Sequence, residues 1–236
     1  MGELFRKKII MVVIITIFVI TSVVPSTGSV IKSHSRDLSA YPVFNGTKCD
    51  GGWFITPVNT SFYYDNQTVN KIFYRINDEQ FFLYENPFII FKEGNIQFTW
   101  YWIYLNGTIS DIFSEDFRVD YTPPNSSIIS PKEGGFYLFS KMLFQKTGVV
   151  TITIGRTTII AEAVDEYSGV ARVLFSLSKN NEKPESHEVY TEPFIWNLKG
   201  IHMGNYILNI TAYDLGGLSS AKIINLKIFD FGFISK

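Results

Sequence analysis

Four carboxylates, Asp120, Asp165, Glu166 and Asp214, are the residues of this chain whose types and settings could do chemistry together. Each lies among turn-forming residues: Asp120 just ahead of Thr122-Pro123-Pro124, Asp165 and Glu166 in Asp165-Glu166-Tyr167-Ser168-Gly169, and Asp214 in Asp214-Leu215-Gly216-Gly217. Gathered in one place they would repel one another and present only oxygen donors, the donor type that a hard cation such as Ca²⁺ collects, about 6 to 8 at a time. The competing reading is that each Asp caps its own turn by accepting backbone N–H bonds. Both readings stand at this point.

No catalytic residue emerges. The chain has no nucleophile elbow, no His-Glu-x-x-His pair, no phosphate-binding Gly loop and no Cys-x-x-Cys. Its three histidines, His34, His187 and His202, lack a partner at ligand or relay spacing. Glu115-Asp116 and Asp165-Glu166 could pair for glycoside hydrolysis, but they read better as turn and edge polarity. The expectation is a non-enzyme with no cofactor beyond a possible Ca²⁺. Cys49 is the only cysteine, so no intrachain disulfide forms and stability comes from burial.

The elements that must position these residues are built twice. Tyr84-Glu85-Asn86-Pro87-Phe88 returns as Tyr190-Thr191-Glu192-Pro193-Phe194, 106 residues later. In each copy a Gly-Asn pair then opens an alternating apolar run: Gly94-Asn95 leads to Ile96, Phe98, Trp100 and Trp102, and Gly204-Asn205 leads to Tyr206, Leu208, Ile210 and Ala212. Side chains alternate along a strand, so Trp100 and Trp102 share one face and Tyr101 and Ile103 the other. Exposed, the two indoles would form a platform for sugar rings; aligned with Ile210 and Ala212, they are expected in the core.

Around that repeat, short β-branched and aromatic runs alternate with Gly, Asn, Asp and Pro clusters, and no helix of ordinary length can be found. This spacing predicts two tandem immunoglobulin-like (fibronectin type III-like) β-sandwiches, an all-β fold. The expected boundaries are a signal segment at 1–28, a linker at 29–44, a first domain at 45–120, a Pro-Pro linker at 121–124, a second domain at 125–230 and a tail at 231–236. Residues 134–148 are an insertion whose Phe136-Tyr137-Leu138-Phe139 is expected to pack over a sheet edge. In such a sandwich the turns holding Asp165 and Asp214 fall at the same end as the linker carrying Asp120.

Arg6-Lys7-Lys8, an apolar run over 9–24 and Pro25-Ser26-Thr27-Gly28-Ser29 have the form of a cleaved signal peptide, or of an anchor if uncleaved. The domains are therefore expected outside the cytoplasm, secreted or at the cell surface. Sequons at Asn45, Asn59, Asn66, Asn106, Asn125 and Asn209 are candidate glycosylation sites. Charges nearly cancel, at 21 Lys plus Arg against 22 Asp plus Glu, so no basic field exists to gather nucleic acid.

Asp50-Gly51-Gly52-Trp53, Val69-Asn70-Lys71-Ile72-Phe73-Tyr74-Arg75, Asp165-Glu166-Tyr167-Ser168-Gly169-Val170 and Ala212-Tyr213-Asp214-Leu215-Gly216-Gly217 resemble the tandem Ig-like repeats of bacterial and archaeal cell-surface and secreted proteins. The resemblance covers about residues 45–230. It implies a structural or adhesive protein, or alternatively an accessory module that binds glycan or protein for a secreted enzyme system. The implied partner is an extracellular protein or glycan, with membrane contact only through an uncleaved leader. The first unit departs from the pattern at its last turn, where Tyr104-Leu105-Asn106-Gly107 stands in place of the Asp.

Overall fold

The computed structural model describes residues 39–179 and 182–232. The signal segment, residues 29–38 of the linker with His34, and tail residues 233–236 lie outside the described residues. The described chain is all-β.

The first sandwich comprises β1 (Ala40–Asn45), β2 (Trp53–Phe54), β3 (Val58–Tyr64), β4 (Val69–Ile76), β5 (Phe82–Leu83), β6 (Phe88–Ile90), β7 (Gly94–Tyr104) and β8 (Phe113–Val119). A sheet ordered β1-β3-β6 faces one ordered β2-β8-β7-β4-β5. It opens at Ala40, five residues before the predicted boundary. Ala40-Tyr41-Pro42-Val43 has weak apolar alternation, yet it pairs antiparallel with β3, and Ala40 is fully buried.

The second sandwich comprises β9 (Asn125–Ser130), β10 (Gly135–Leu138), β11 (Lys141–Gln145), β12 (Thr151–Ile154), β13 (Thr158–Val164), β14 (Val170–Ser178), β15 (Glu185–Val189), β16 (Phe194–Asn197), β17 (His202–Asp214) and β18 (Ser219–Asp230). Its sheets run β16-β13-β9 and β11-β10-β12-β18-β17-β14-β15. The insertion does more than cover an edge: β10 joins β12 in parallel, and β11 folds back as a new, wholly exposed edge.

The register carries the internal repeat. Ile72, Tyr74 and Ile76 of β4 face Trp102, Trp100 and Phe98 of β7, as Val173, Phe175 and Leu177 of β14 face Ala212, Ile210 and Leu208 of β17. The Phe of each repeated pentapeptide sits alike, Phe88 opposite Thr60 and Phe194 opposite Ala161. Gly94 and Gly204 hold φ of 95° and 114°, a region that L side chains rarely adopt, which is why glycine opens each long strand.

Each sandwich has its own core. Trp100 and Trp102 are 5% and 2% exposed and pack with Phe98, Ile96 and Val119 in the first; Phe175, Leu208 and Ile210 are fully buried in the second. Burying each large apolar side chain contributes roughly 1.5–3 kcal/mol, which is how a chain without disulfides holds two small domains. Neither indole Nε1–H finds an acceptor, an uncommon cost that the aromatic packing around both rings offsets.

Candidate functional site at the junction

Asp120 directly follows β8, and its N–H donates to Phe54 O (2.8 Å), which fixes it to the first sandwich. The next residues are tied back as well. Glu93 accepts from Tyr121 N–H (2.7 Å) and Thr122 Oγ1 (2.9 Å), and the Tyr121 hydroxyl donates to Phe91 O (2.7 Å). Burial and the Glu93 charge both raise the Tyr121 pKa. Pro123 and Pro124 then restrict the chain to an extended course into β9.

From the other side come two turns of the second sandwich. Asp165 begins the β13–β14 turn, and its Oδ1 accepts from Tyr167 N–H (3.2 Å) and Gly169 N–H (2.6 Å). Asp214 closes β17, where its Oδ1 accepts from Leu218 N–H (2.8 Å). The β17–β18 turn lies close against the first sandwich: a Cβ on Gly51 would come within 3.2 Å of Leu215 O, and one on Gly216 within 3.3 Å of Ile55 Cγ2. Cys49, a half-buried free thiol, reaches Leu215 O at 3.9 Å. A hydrogen bond from Ser168 N–H to Asp120 Oδ2 (3.0 Å) also spans the junction.

These elements place a carboxylate oxygen of each of Asp120, Asp165 and Asp214 within 4.8 Å of the other two. Asp120 and Asp214 are buried and Asp165 half-buried. Asp214 Oδ2 is sealed from solvent without a hydrogen-bond partner. Burial raises the Asp214 pKa to about 6; the N–H groups of Leu218 and Gly217 oppose the rise, and the charges of Asp120 and Asp165 add to it. Turn capping and clustering thus occur together, because each Asp uses one oxygen on its own turn.

Glu166 is a correction. It is exposed and outside the group, because the N–H groups of Tyr167 and Gly169 hold Asp165 in the turn. Its charge acts instead on the Tyr167 phenol, whose pKa it raises. Glu93, which holds the linker, carries no motif in the sequence, and only the folded linker brings donors to it.

The remaining candidates fall elsewhere. Glu115 and Asp116 lie inside β8 rather than in a turn; Glu115 occupies a core-facing register and burial raises its pKa, while nearby Lys48 lowers it. His187 stacks on Trp196, and His202 is buried with Nε2 at 2.9 Å from Glu185. The indoles of Trp100 and Trp102 are in the core, so they form no sugar platform, and outward-facing Tyr101 is stacked on Phe73 at 5.1 Å. Asn45, Asn59, Asn66, Asn106 and Asn125 are exposed, whereas Asn209 is half-buried in β17 with Oδ1 enclosed.

No family model and no curated protein matches the chain. Among solved structures it is similar to fibronectin(III)-like modules of Clostridium thermocellum CbhA, at 17% identity over 80% of this chain and 94% of that one, with a TM-score of 0.34. An engineered protein from a structural genomics consortium matches at 12% identity over 47% of this chain and 21% of that one, with a TM-score of 0.32. Strand order and register define the class here: an all-β protein of two Ig-like, fibronectin type III-like sandwiches.

Proposed function

We propose that the chain is a non-catalytic structural or adhesive protein, exported to the cell surface or beyond, whose two sandwiches act as a stiff spacer. The observation that carries this reading is the linker. Glu93 and Phe91 hold it to the first sandwich, Asp120 joins it to Ser168 of the second, and two prolines remove its freedom between. A joint built to bend around a ligand would leave these groups to water. The basic, apolar leader and the exposed sequons support export.

Two measurements test the reading. Protease applied to intact cells that produce the chain is expected to remove it, and small-angle scattering of the full chain is expected to fit a single separation of the two sandwiches. Protection inside cells, or a broad spread of separations, would overturn it.

A second reading, an accessory module that grips a partner, has its own observation. On and beside the β10–β11 hairpin, Phe139, Leu143, Phe144 and Val150 are each more than half exposed. Such a concentration of apolar surface suits a protein surface better than a glycan.

A further inference from the structure

We propose that Asp120, Asp165 and Asp214 bind one divalent cation, Ca²⁺ by preference, which bridges the two sandwiches. An acidic cluster alone is a weak argument, because exposed acids gather without metal. Here two of the three are buried, and Asp214, only 2% exposed, holds Oδ2 without any hydrogen-bond donor. A buried carboxylate oxygen with no partner costs several times what an average hydrogen bond contributes, so its environment is incomplete.

A cation completes it. Asp214 Oδ1 is held by Leu218 N–H and Asp165 Oδ1 by Tyr167 and Gly169 N–H, which aligns both side chains and leaves Oδ2 of Asp214 for an ion. The three oxygens lie within 4.8 Å of one another, which fits inside a coordination sphere whose metal–oxygen distance is about 2.4 Å. Among the described residues, no Lys or Arg forms an ion pair with any of the three. The donor set is all oxygen with no nitrogen or sulfur, which suits Ca²⁺ over Zn²⁺. Water would complete the remaining positions of a sphere of about 6 to 8 oxygens.

The consequence follows from where the ligands originate. Asp120 belongs to the first sandwich, and Asp165 and Asp214 belong to turns of the second. One ion therefore crosslinks the sandwiches through a joint where, among the described residues, Ser168 N–H donates to Asp120 Oδ2 and the Cys49 thiol reaches Leu215 O. This deepens the spacer reading and rests on it for its biological meaning. The binding itself does not, since it is measured on purified protein wherever the chain resides.

The test is thermal unfolding of the full chain in chelator, in about 5 mM Ca²⁺ and in about 5 mM Mg²⁺, at affinities typical of extracellular Ca²⁺ modules. Ca²⁺ is expected to raise Tm by about 5 °C and Mg²⁺ by less. Asp214→Asn keeps an oxygen for Leu218 N–H and removes the unpaired charge. It is expected to melt no lower than wild type in chelator and to lose the Ca²⁺ response. Should that variant fail to fold, Asp165→Asn provides the same comparison. Glu166→Gln, altered beside the cluster, is expected to keep the full response. No Ca²⁺ shift in the wild type, or an equal shift in the wild type and in Asp214→Asn, would overturn the proposal. Surface protease and scattering results in chelator test the spacer reading separately.

Discussion

The leading ends of the two sandwiches occupy the same place in the same fold and are built from opposite chemistry. Tyr104 pairs with Val69 at the end of β7, as Asp214 pairs with Val170 at the end of β17. Counting four residues on from Thr60 and Ala161, which face the equivalent Phe88 and Phe194, puts Tyr64 where the second sandwich has Asp165. Two tyrosines thus replace two aspartates. Tyr104 packs edge-on to Trp102 at 6.0 Å and joins the first core, whereas Asp214 is buried with an unpaired oxygen. The β3–β4 turn of the first sandwich keeps one capping carboxylate, Asp65, whose Oδ1 accepts from Gln67 N–H (2.9 Å), but with Tyr104 at the end of β7 no second carboxylate joins it. Among the described residues, three carboxylates gather only at the junction, where Asp120 of the first sandwich meets Asp165 and Asp214.

The comparison can be broken in several ways, beginning with the cores. Trp100→Ala should cost about 3–5 kcal/mol and lower the unfolding midpoint of the first sandwich while leaving that of the second nearly in place, since the two clusters are separate. Equal loss in both, followed by near-UV circular dichroism in denaturant, would mean that the sandwiches unfold as one. Next comes pH. The folded Asp214 pKa of about 6 exceeds its ordinary value of 3.8, so the folded state holds a proton that the unfolded state releases. That stability is fully present below about pH 4 and is lost as pH rises through 6. In chelator, the second sandwich should therefore gain about 2 kcal/mol on going from pH 7.5 to 4.5, and Asp214→Asn should flatten this component of the profile.

A smaller effect sharpens the account of the linker. Glu93→Ala leaves Tyr121 N–H without its acceptor and should cost about 1–2 kcal/mol, with a wider spread of sandwich separations in scattering. Smallest of all, Glu166→Gln should change stability by less than about 0.5 kcal/mol, because Glu166 is exposed and outside the cluster.

Much of this architecture was legible in the sequence. The repeated pentapeptide and the Gly-Asn that opens each alternating run give two sandwiches and place Trp100 and Trp102 inside, because strand alternation is a local rule. Asp165 and Asp214 could be placed at one end because turn residues mark their strands' ends. Glu166 could not be separated from Asp165 by sequence, since the N–H donors that orient one and leave the other in solvent exist only in the folded turn. Ala40–Asn45 was missed for lack of apolar alternation; its pairing with β3 supplies what its own pattern does not. The parallel addition of β10 to β12 depends on contacts 15 or more residues apart, as Phe136 and Ile152 illustrate, and no local signal encodes it.

The central claim is that the junction carboxylates form a site that the first sandwich lacks. Titration calorimetry of Ca²⁺ into chelator-treated full chain tests it most directly. One ion per chain is expected, with the heat abolished by Asp120→Asn as well as by Asp214→Asn, because Asp120 of the first sandwich is one of the three ligands. No binding at millimolar Ca²⁺, or one equivalent that survives both substitutions, would contradict it and leave these aspartates as turn caps beside a proline-stiffened linker.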